Sequence, residues 1–300
     1  MTIELTRERG AQTPAPPAAA ARSVRRAARG AAIGDLLRQP VLVAAWIVVA
    51  VAVGWAIAPG LFAPAGPYDG DPALSFAPPS LDHPFGTDRL GRDMFARTVF
   101  GAGTTLTATL LAVLIAFGIG TLVGLVSGWL GGVVDTVVMR VIDVFLAIPS
   151  LLLAMVIVSV LGYSTHNIAI AVGISSIASF ARVMRAEVIG VVGRDYVRAA
   201  LGLGVSRFRV VVSHVLPNSL SSVIGLAALE VGTAILAVAS LGFLGYGAPP
   251  PEPEWGLLVA EGRDYLAVHP WLSILPGIAL ALVVIATHRI STSFRKDHRR

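Results

Sequence analysis

Tyr196-Val-Arg-Ala-Ala-Leu-Gly-Leu-Gly-Val-Ser-Arg-Phe-Arg-Val-Val-Val-Ser-His-Val-Leu-Pro-Asn218 is a polar-edged stretch set between long apolar runs. Tyr196, Ala199, Ala200 and Leu203 recur at i, i+3, i+4 and i+7, one face of a helix. The two alanines keep that face thin, so another surface can approach it closely. Gly204 permits a sharp turn or a left-handed backbone. Ser206 suits the N-cap of a second short helix, Arg207 to His214, and Pro217 reads as the stop of that helix. An ordinary amphipathic connector would show the same periodicity.

Working outward, the chain has 300 residues, 55% hydrophobic and 14% charged, with a mean hydropathy of +0.76. Soluble domains carry about 25% charged residues. The apolar residues fall in blocks of about 20, the length that crosses a bilayer. The composition therefore describes an all-α integral membrane protein. Six spans are expected, near 41–63, 103–129, 134–160, 167–187, 219–243 and 270–288. The second is too long to stand perpendicular within the hydrocarbon; it tilts or starts outside it. Residues 1–39, rich in Ala, Pro and Arg, read as a disordered N-terminal tail. The membrane domain is then 40–290, and 291–300 is a C-terminal tail.

Arginine sets the orientation. Of 23 Lys and Arg residues, only Arg89, Arg92, Arg97 and Arg263 fall on one side of these spans. The positive-inside rule places both termini and the 192–217 loop in the cytoplasm of a multi-pass cell membrane protein. The sequence pI near 10.2 raises nucleic acid as a partner. The arginines flank apolar runs, so they read as topology signals instead. Cysteine is absent, which excludes a disulfide framework, a zinc-thiolate site and a thiol nucleophile. The lone lysine, Lys296, lies in Phe-Arg-Lys-Asp-His and not in a P-loop, so any ATP used is bound by another subunit. The six histidines show no metal-ligand spacing, and no catalytic signature is present. The chain is expected to be non-catalytic, with no cofactor and no metal of its own.

Ala199-Ala200, then Gly204, then Leu216-Pro217 match the spacing of the "EAA" loop of ABC importer permeases. His83-Pro-Phe-Gly-Thr-Asp-Arg-Leu-Gly-Arg-Asp93 resembles a block of the dipeptide/oligopeptide/nickel permease family. Gly131-Gly-x-x-Asp135, Met139-Arg-x-x-Asp143, Ala147-Ile-Pro149, Leu241-Gly-Phe-Leu-Gly-Tyr-Gly247 and Pro250-Pro-x-Pro-x-Trp-Gly256 are similar to later blocks, in the same order. The resemblance covers most of residues 83–285 and is to the C-type subunit of the permease pair. It departs at Arg198, where the loop usually has Glu, at Val238, and at Ser291 to Lys296.

The resemblance implies a six-helix type I transmembrane domain with a cytoplasmic EAA coupling loop. Tyr196, Arg198, Ala199, Ala200, Gly204, Ser206, Leu216 and Pro217 would form that loop. It further implies a second permease subunit of different sequence and an extracytoplasmic substrate-binding protein. Two ATPase subunits or domains would bind ATP and Mg. Such an assembly sits in the inner or plasma membrane of a prokaryote, among lipid, and imports peptides or a related small solute by alternating access.

Other residues leave alternatives open. Gly120, Gly124 and Gly128 suit close helix packing, within the chain or against the partner permease. Pro149 inside a span suggests a kink. The Asp- and Arg-bearing loop at 69–97 is either a docking surface for the binding protein or a solvated loop, with Gly86 to Asp93 fixing the entry of the second span. Glu230 lies mid-span, where a charge costs about 2.5–3.5 kcal/mol, so it should line the translocation path or be protonated or paired between helices. An ion-coupled carrier acting alone is the rival function. It needs paired ionisable residues within the membrane, and it leaves the loop spacing unexplained. A membrane-embedded enzyme is a further rival, and the spans offer it no catalytic constellation.

Overall fold

The computed structural model describes residues 39–297, with side chains to residue 293. The expected tail at 1–39 falls, except for residue 39, outside the described residues. The chain divides into two compact units, Met1–Val43 and Ala44–Arg300. Of the first, only residues 39–43 are described, at the opening of a helix.

The described residues are all-helical apart from turns and two isolated β-bridges. The main helices are α1 (Pro40–Ile57), α2 (Met94–Leu130), α3 (Gly132–Ala147), α4 (Ser150–Leu161) and α5 (Thr165–Val192). After them come α6 (Asp195–Gly202), α7 (Arg207–Phe243), α8 (Trp255–Arg263) and α9 (Trp271–Asp297). Five of these, α1, α2, α5, α7 and α9, are long and apolar enough to cross a membrane, and the bent pair α3–α4 makes a sixth if it counts as one span.

The start of α2 shows why it is longer than its apolar run. Asp93 caps it: its Oδ1 accepts from the N–H groups of Phe95 at 2.7 Å and Ala96 at 3.1 Å. Its other oxygen meets His83 Nδ1 at 3.0 Å. Gly86 and Gly91 have φ of +70° and +72°, and a Cβ on Gly91 would run into the Asp71 backbone. The block at 83–93 is thus a built entry, as expected, and the helix starts nine residues before the expected boundary. Its 37 residues make roughly 55 Å, well beyond a hydrocarbon core of about 30 Å.

Helices α2 and α5 run parallel. Gly120 faces Ile177 and Phe180, Gly124 faces Ala181 and Met184, and Gly128 faces Val188, while Gly173 meets Ala112 and Ile115. The chain must therefore return the full depth between them, and α3–α4 is the only segment available. This expected single span is broken. Ile148 is extended at φ −92°, ψ 128°, and the two helix axes differ by 94°. Pro149 explains it: a proline has no N–H for the helix ladder and pushes the preceding residue out of the α region. The expected kink is a near right angle.

At the far end of α7, α8 is wedged against α2. Trp255 is fully buried, and its Nε1 donates to the Thr98 carbonyl at 2.8 Å. Glu254 caps α8, accepting from the N–H groups of Gly256 and Leu257, both at 2.9 Å, and from Thr105 at 3.2 Å. Burial pushes its carboxyl above the ordinary range, and these hydrogen bonds pull it partly back. Gly242 and Gly256 have no room for a Cβ, the first because of Glu254 and the second because of the Ala239 backbone. The last helix, α9, runs on to Asp297, so residues 291–297 continue a helix that was expected to end near 288.

Candidate functional site

Because α2 begins at the Asp93 cap and ends beside Val188, α5 carries the chain to the opposite end of the bundle. There the helical hairpin of α6 and the start of α7 projects. Its inner side is nailed down by valines. Val197, Val210 and Val215 are fully buried with Phe180, Met184, Val188 and Val191. Its outer side is open: Tyr196 is 41% exposed, Phe208 79% and Leu203 85%, with Arg198 and Ala199 exposed beside them. Ala200 is half-buried against the valine cluster. The thin face expected at 196, 199, 200 and 203 is thus largely presented to the outside.

Gly204 has φ +81°, the left-handed backbone expected there. The turn closes through Leu203 N–H to Ala199 O, Gly204 N–H to Leu201 O and Val205 N–H to Ala200 O, at 2.9, 3.1 and 3.1 Å. A Cβ on Gly204 would meet nothing within 4 Å among the described residues. The reason for glycine within this chain is therefore the dihedral and not crowding. Ser206 occupies the N-cap position with extended backbone, but its hydroxyl makes no capping hydrogen bond; its carbonyl accepts from Val210 N–H at 3.0 Å.

Pro217 does not stop the second helix. The helix runs on from Arg207 to Phe243, with a π-helical turn at Val211–Val215. In that turn the Leu216 N–H bonds to the Val211 carbonyl. A proline ring clashes with the carbonyl four residues back and offers it no N–H. One wider turn relieves that clash, and a π turn is such an adjustment. Asn218 Nδ2 then donates to the His214 carbonyl at 2.6 Å. The His214 ring lies near-parallel to Tyr196, 6.4 Å between centroids, tying the two arms of the hairpin together.

Glu230 sits midway along α7, half-buried, and accepts a hydrogen bond from Ser176 Oγ of α5 at 2.7 Å. Two ion pairs absent from the sequence reading join α3 to α5. Arg185 grips Asp135 with both Nε and Nη2, at 2.5 Å each, and Ser127 donates to the same carboxylate at 2.5 Å. Arg182 meets Asp143 at 2.6 Å, with both side chains more than half exposed. The spacing held a signal: Asp135 and Asp143 lie eight apart and Arg182 and Arg185 three apart, each set on one side of a helix. Among the described residues, no group of three or more His, Asp or Glu side chains is placed to hold a metal.

Solved structures share this arrangement. A chain of the MetNI methionine ABC transporter in an inward-facing conformation aligns with TM-score 0.52 at 18% identity, over 67% of this chain and 97% of that one. A chain of an amino acid ABC transporter aligns with TM-score 0.53 at 17% identity, over 68% and 94%. At such identity the likeness is one of fold.

Sequence relatives narrow it further. The dipeptide transport system permease protein DppC of Alkalihalophilus pseudofirmus is 37% identical over 225 residues, 75% of this chain and 74% of that one. The glutathione transport system permease protein GsiD of Shigella flexneri is 42% identical over 217 residues, 72% of each. Residues 120–300 match the model of the binding-protein-dependent transport system inner membrane component. The chain belongs to that family. It is a permease subunit of an ABC importer, not a catalytic one.

Proposed function

We propose that this chain forms half of the translocation path for peptides or a related small solute, and that the hairpin around Gly204 is where a separate ATPase grips it. The observation that carries the substrate class is the 37–42% identity to permeases named for dipeptide and glutathione transport. What supports the docking role is the build of the hairpin: valines anchor one side, and Tyr196, Leu203 and Phe208 stand exposed on the other, next to Arg198, Arg207 and Arg209. A second permease, two ATPase subunits that bind ATP and Mg, and an extracytoplasmic binding protein complete the assembly.

In this mechanism ATP closes the ATPase pair and moves the hairpin. Val197, Val210 and Val215 pass that movement to α5 and α7, since they share one cluster with the ends of both helices. Alternating access follows as the two permeases rock. The test is uptake by the full complex reconstituted in vesicles. ATP-driven, binding-protein-dependent entry of a dipeptide or glutathione is expected; a complex that moves solute without the ATPase would overturn the reading.

In this reading both termini and the hairpin lie in the cytoplasm. The chain has no cysteine, so single cysteines report cleanly. Ser80 and Ala267 are exposed at one end and Ser206 at the other. Cysteines at 80 and 267 should react with an impermeant thiol reagent in intact cells. A cysteine at 206 should react only after permeabilisation, and outside labelling at 206 reverses the orientation.

Glu230 is assigned to the path. Its partner is a neutral serine, so the carboxylate remains available to the ammonium group of a passing peptide. Glu230→Gln should leave assembly intact and weaken uptake of peptides with a free amino terminus relative to N-acetylated ones. A cysteine at 230 should react with small polar thiol reagents in one nucleotide state more than another. Unchanged uptake together with an inert cysteine removes Glu230 from the path.

A further inference from the structure

Arg97, near the start of α2, is fully buried. Its Nη1 serves two carboxylates, Asp88 Oδ2 at 3.0 Å and Glu261 Oε2 at 2.8 Å. Its Nε and Nη2 find no acceptor among the described residues. A guanidinium carries five N–H donors, so three of them are left without a partner, and such an omission inside a protein is costly. Arg97 lines a cavity of about 30 Å³, shared with Asp88, Arg89, Arg92, Glu261 and Tyr265. A single water needs roughly 10–15 Å³ on the same measure, so the cavity has room for one small ion or about two waters.

The charges distinguish an ion from water. Arg92 is buried and bound to Asp88, with Nε at 2.7 Å and Nη2 at 2.6 Å from Oδ2. The two buried arginines, Arg92 and Arg97, balance Asp88 and Glu261, and the exposed Arg89 at the rim adds the positive charge that favours an anion. The N–H groups at the start of α2 do not contribute, because Gly86 O, Asp93 Oδ1 and Asp93 O already take those of residues 94 to 97. Among the residues that line the cavity, the orphaned buried donors are those of Arg97.

We propose that this cavity binds a monatomic anion, chloride in the first instance, held by Nε and Nη2 of Arg97. The anion completes the joint between the 83–97 segment and the end of α8. A carboxylate or phosphate is too large for the space. The site is separate from Glu230 and from the hairpin around Gly204, and it does not depend on their roles.

The experiment measures the unfolding midpoint of the purified full complex in sodium chloride and in sodium gluconate at equal ionic strength. An anion that binds only the folded state stabilises it in a saturable way. Chloride and bromide, but not gluconate, should raise the midpoint. Arg97→Gln should abolish that difference. Should Arg97→Gln fail to fold, Arg89→Gln decides, because Arg89 is exposed at the rim. It removes one nearby, solvent-screened charge and should raise the half-saturating chloride concentration by roughly two- to fourfold. Identical curves in chloride and gluconate mean that water fills the cavity, which overturns the proposal. A chloride effect that Arg89→Gln leaves unchanged places the ion elsewhere and overturns it equally.

Discussion

Gly204→Asp is expected to reduce ATP-driven uptake by at least tenfold while the chain still inserts and assembles. Two effects are separable here. The residue has φ +81°, a conformation that costs most L-residues about 1–2 kcal/mol, and 1.4 kcal/mol is a factor of ten. Asp and Asn suffer least, since a short polar side chain tolerates that region. No atom of the described residues lies within 4 Å of the position a Cβ would take, so among them the new side chain is accommodated. The damage from Asp should therefore come from a negative charge thrust into the docked ATPase. Gly204→Asn, with the same shape and no charge, should retain a measurable part of the activity. Gly204→Val should fail through the backbone, because a β-branched residue there is a genuine outlier. ATPase activity of the complex, stimulated or not by the loaded binding protein, checks the coupling itself. Wild-type coupling in Gly204→Asp means that nothing docks at this turn.

The hairpin shows what a sequence can and cannot carry. Gly204 was legible because a residue without Cβ between two helical segments has few other uses. The exposure of Tyr196 and Leu203 was legible from their period. Pro217 was not, because a proline's usual effect is to end a helix, and here a π turn and the Asn218 side chain absorb it. That outcome depends on how the next helix packs, which no local pattern encodes. Similarly, Pro149 announced a bend but not its 94°, since the angle is set by what α3 and α4 each pack against. Gly86 to Asp93 announced the entry of the second span, yet the span was placed by hydropathy, which registers where apolar residues begin and not where hydrogen bonding begins. The ion pairs of α3 with α5 join residues 39 and 50 positions apart. Their spacing is suggestive only once the two helices are known to be neighbours. The valine anchors were hidden for a different reason: Val197, Val210 and Val215 look like any other apolar residue in a chain that is 55% hydrophobic.

These details place the hairpin at the end of a rigid lever. Helix α5 is held along its length by α2, is clamped to α3 through Arg185 and Asp135, and donates to Glu230 through Ser176 before it reaches α6. A movement that travels along α5 therefore reaches the level of Glu230 only if the α2–α5 seam stays tight. In a bilayer, close packing and not hydrophobicity holds two such helices together.

Gly124→Leu should break that seam and remove most folded protein from the membrane. A Cβ at Gly124 would stand 2.8 Å from the Met184 Cβ and 3.0 Å from the Arg185 N, and would overlap the Ala181 carbonyl. These are backbone and near-backbone atoms of a helix, which cannot swing aside as a side-chain tip can. Overpacking of a tight core costs about 1–3 kcal/mol and occasionally more, and a leucine here must also separate α2 from α5 along several turns. Gly118 supplies the control on the same helix, because a Cβ there meets nothing within 4 Å. Gly118→Leu adds the same side chain at an open position and should leave yield and thermal stability near wild type. Gly124→Ala should fall between, since even its single methyl occupies the contested space. The measurement is the fraction of monodisperse complex recovered from membranes and its unfolding midpoint. If Gly124→Leu matches Gly118→Leu in both, the helices do not touch at this glycine, and the lever that carries motion from the hairpin to Glu230 has to run through α7 alone.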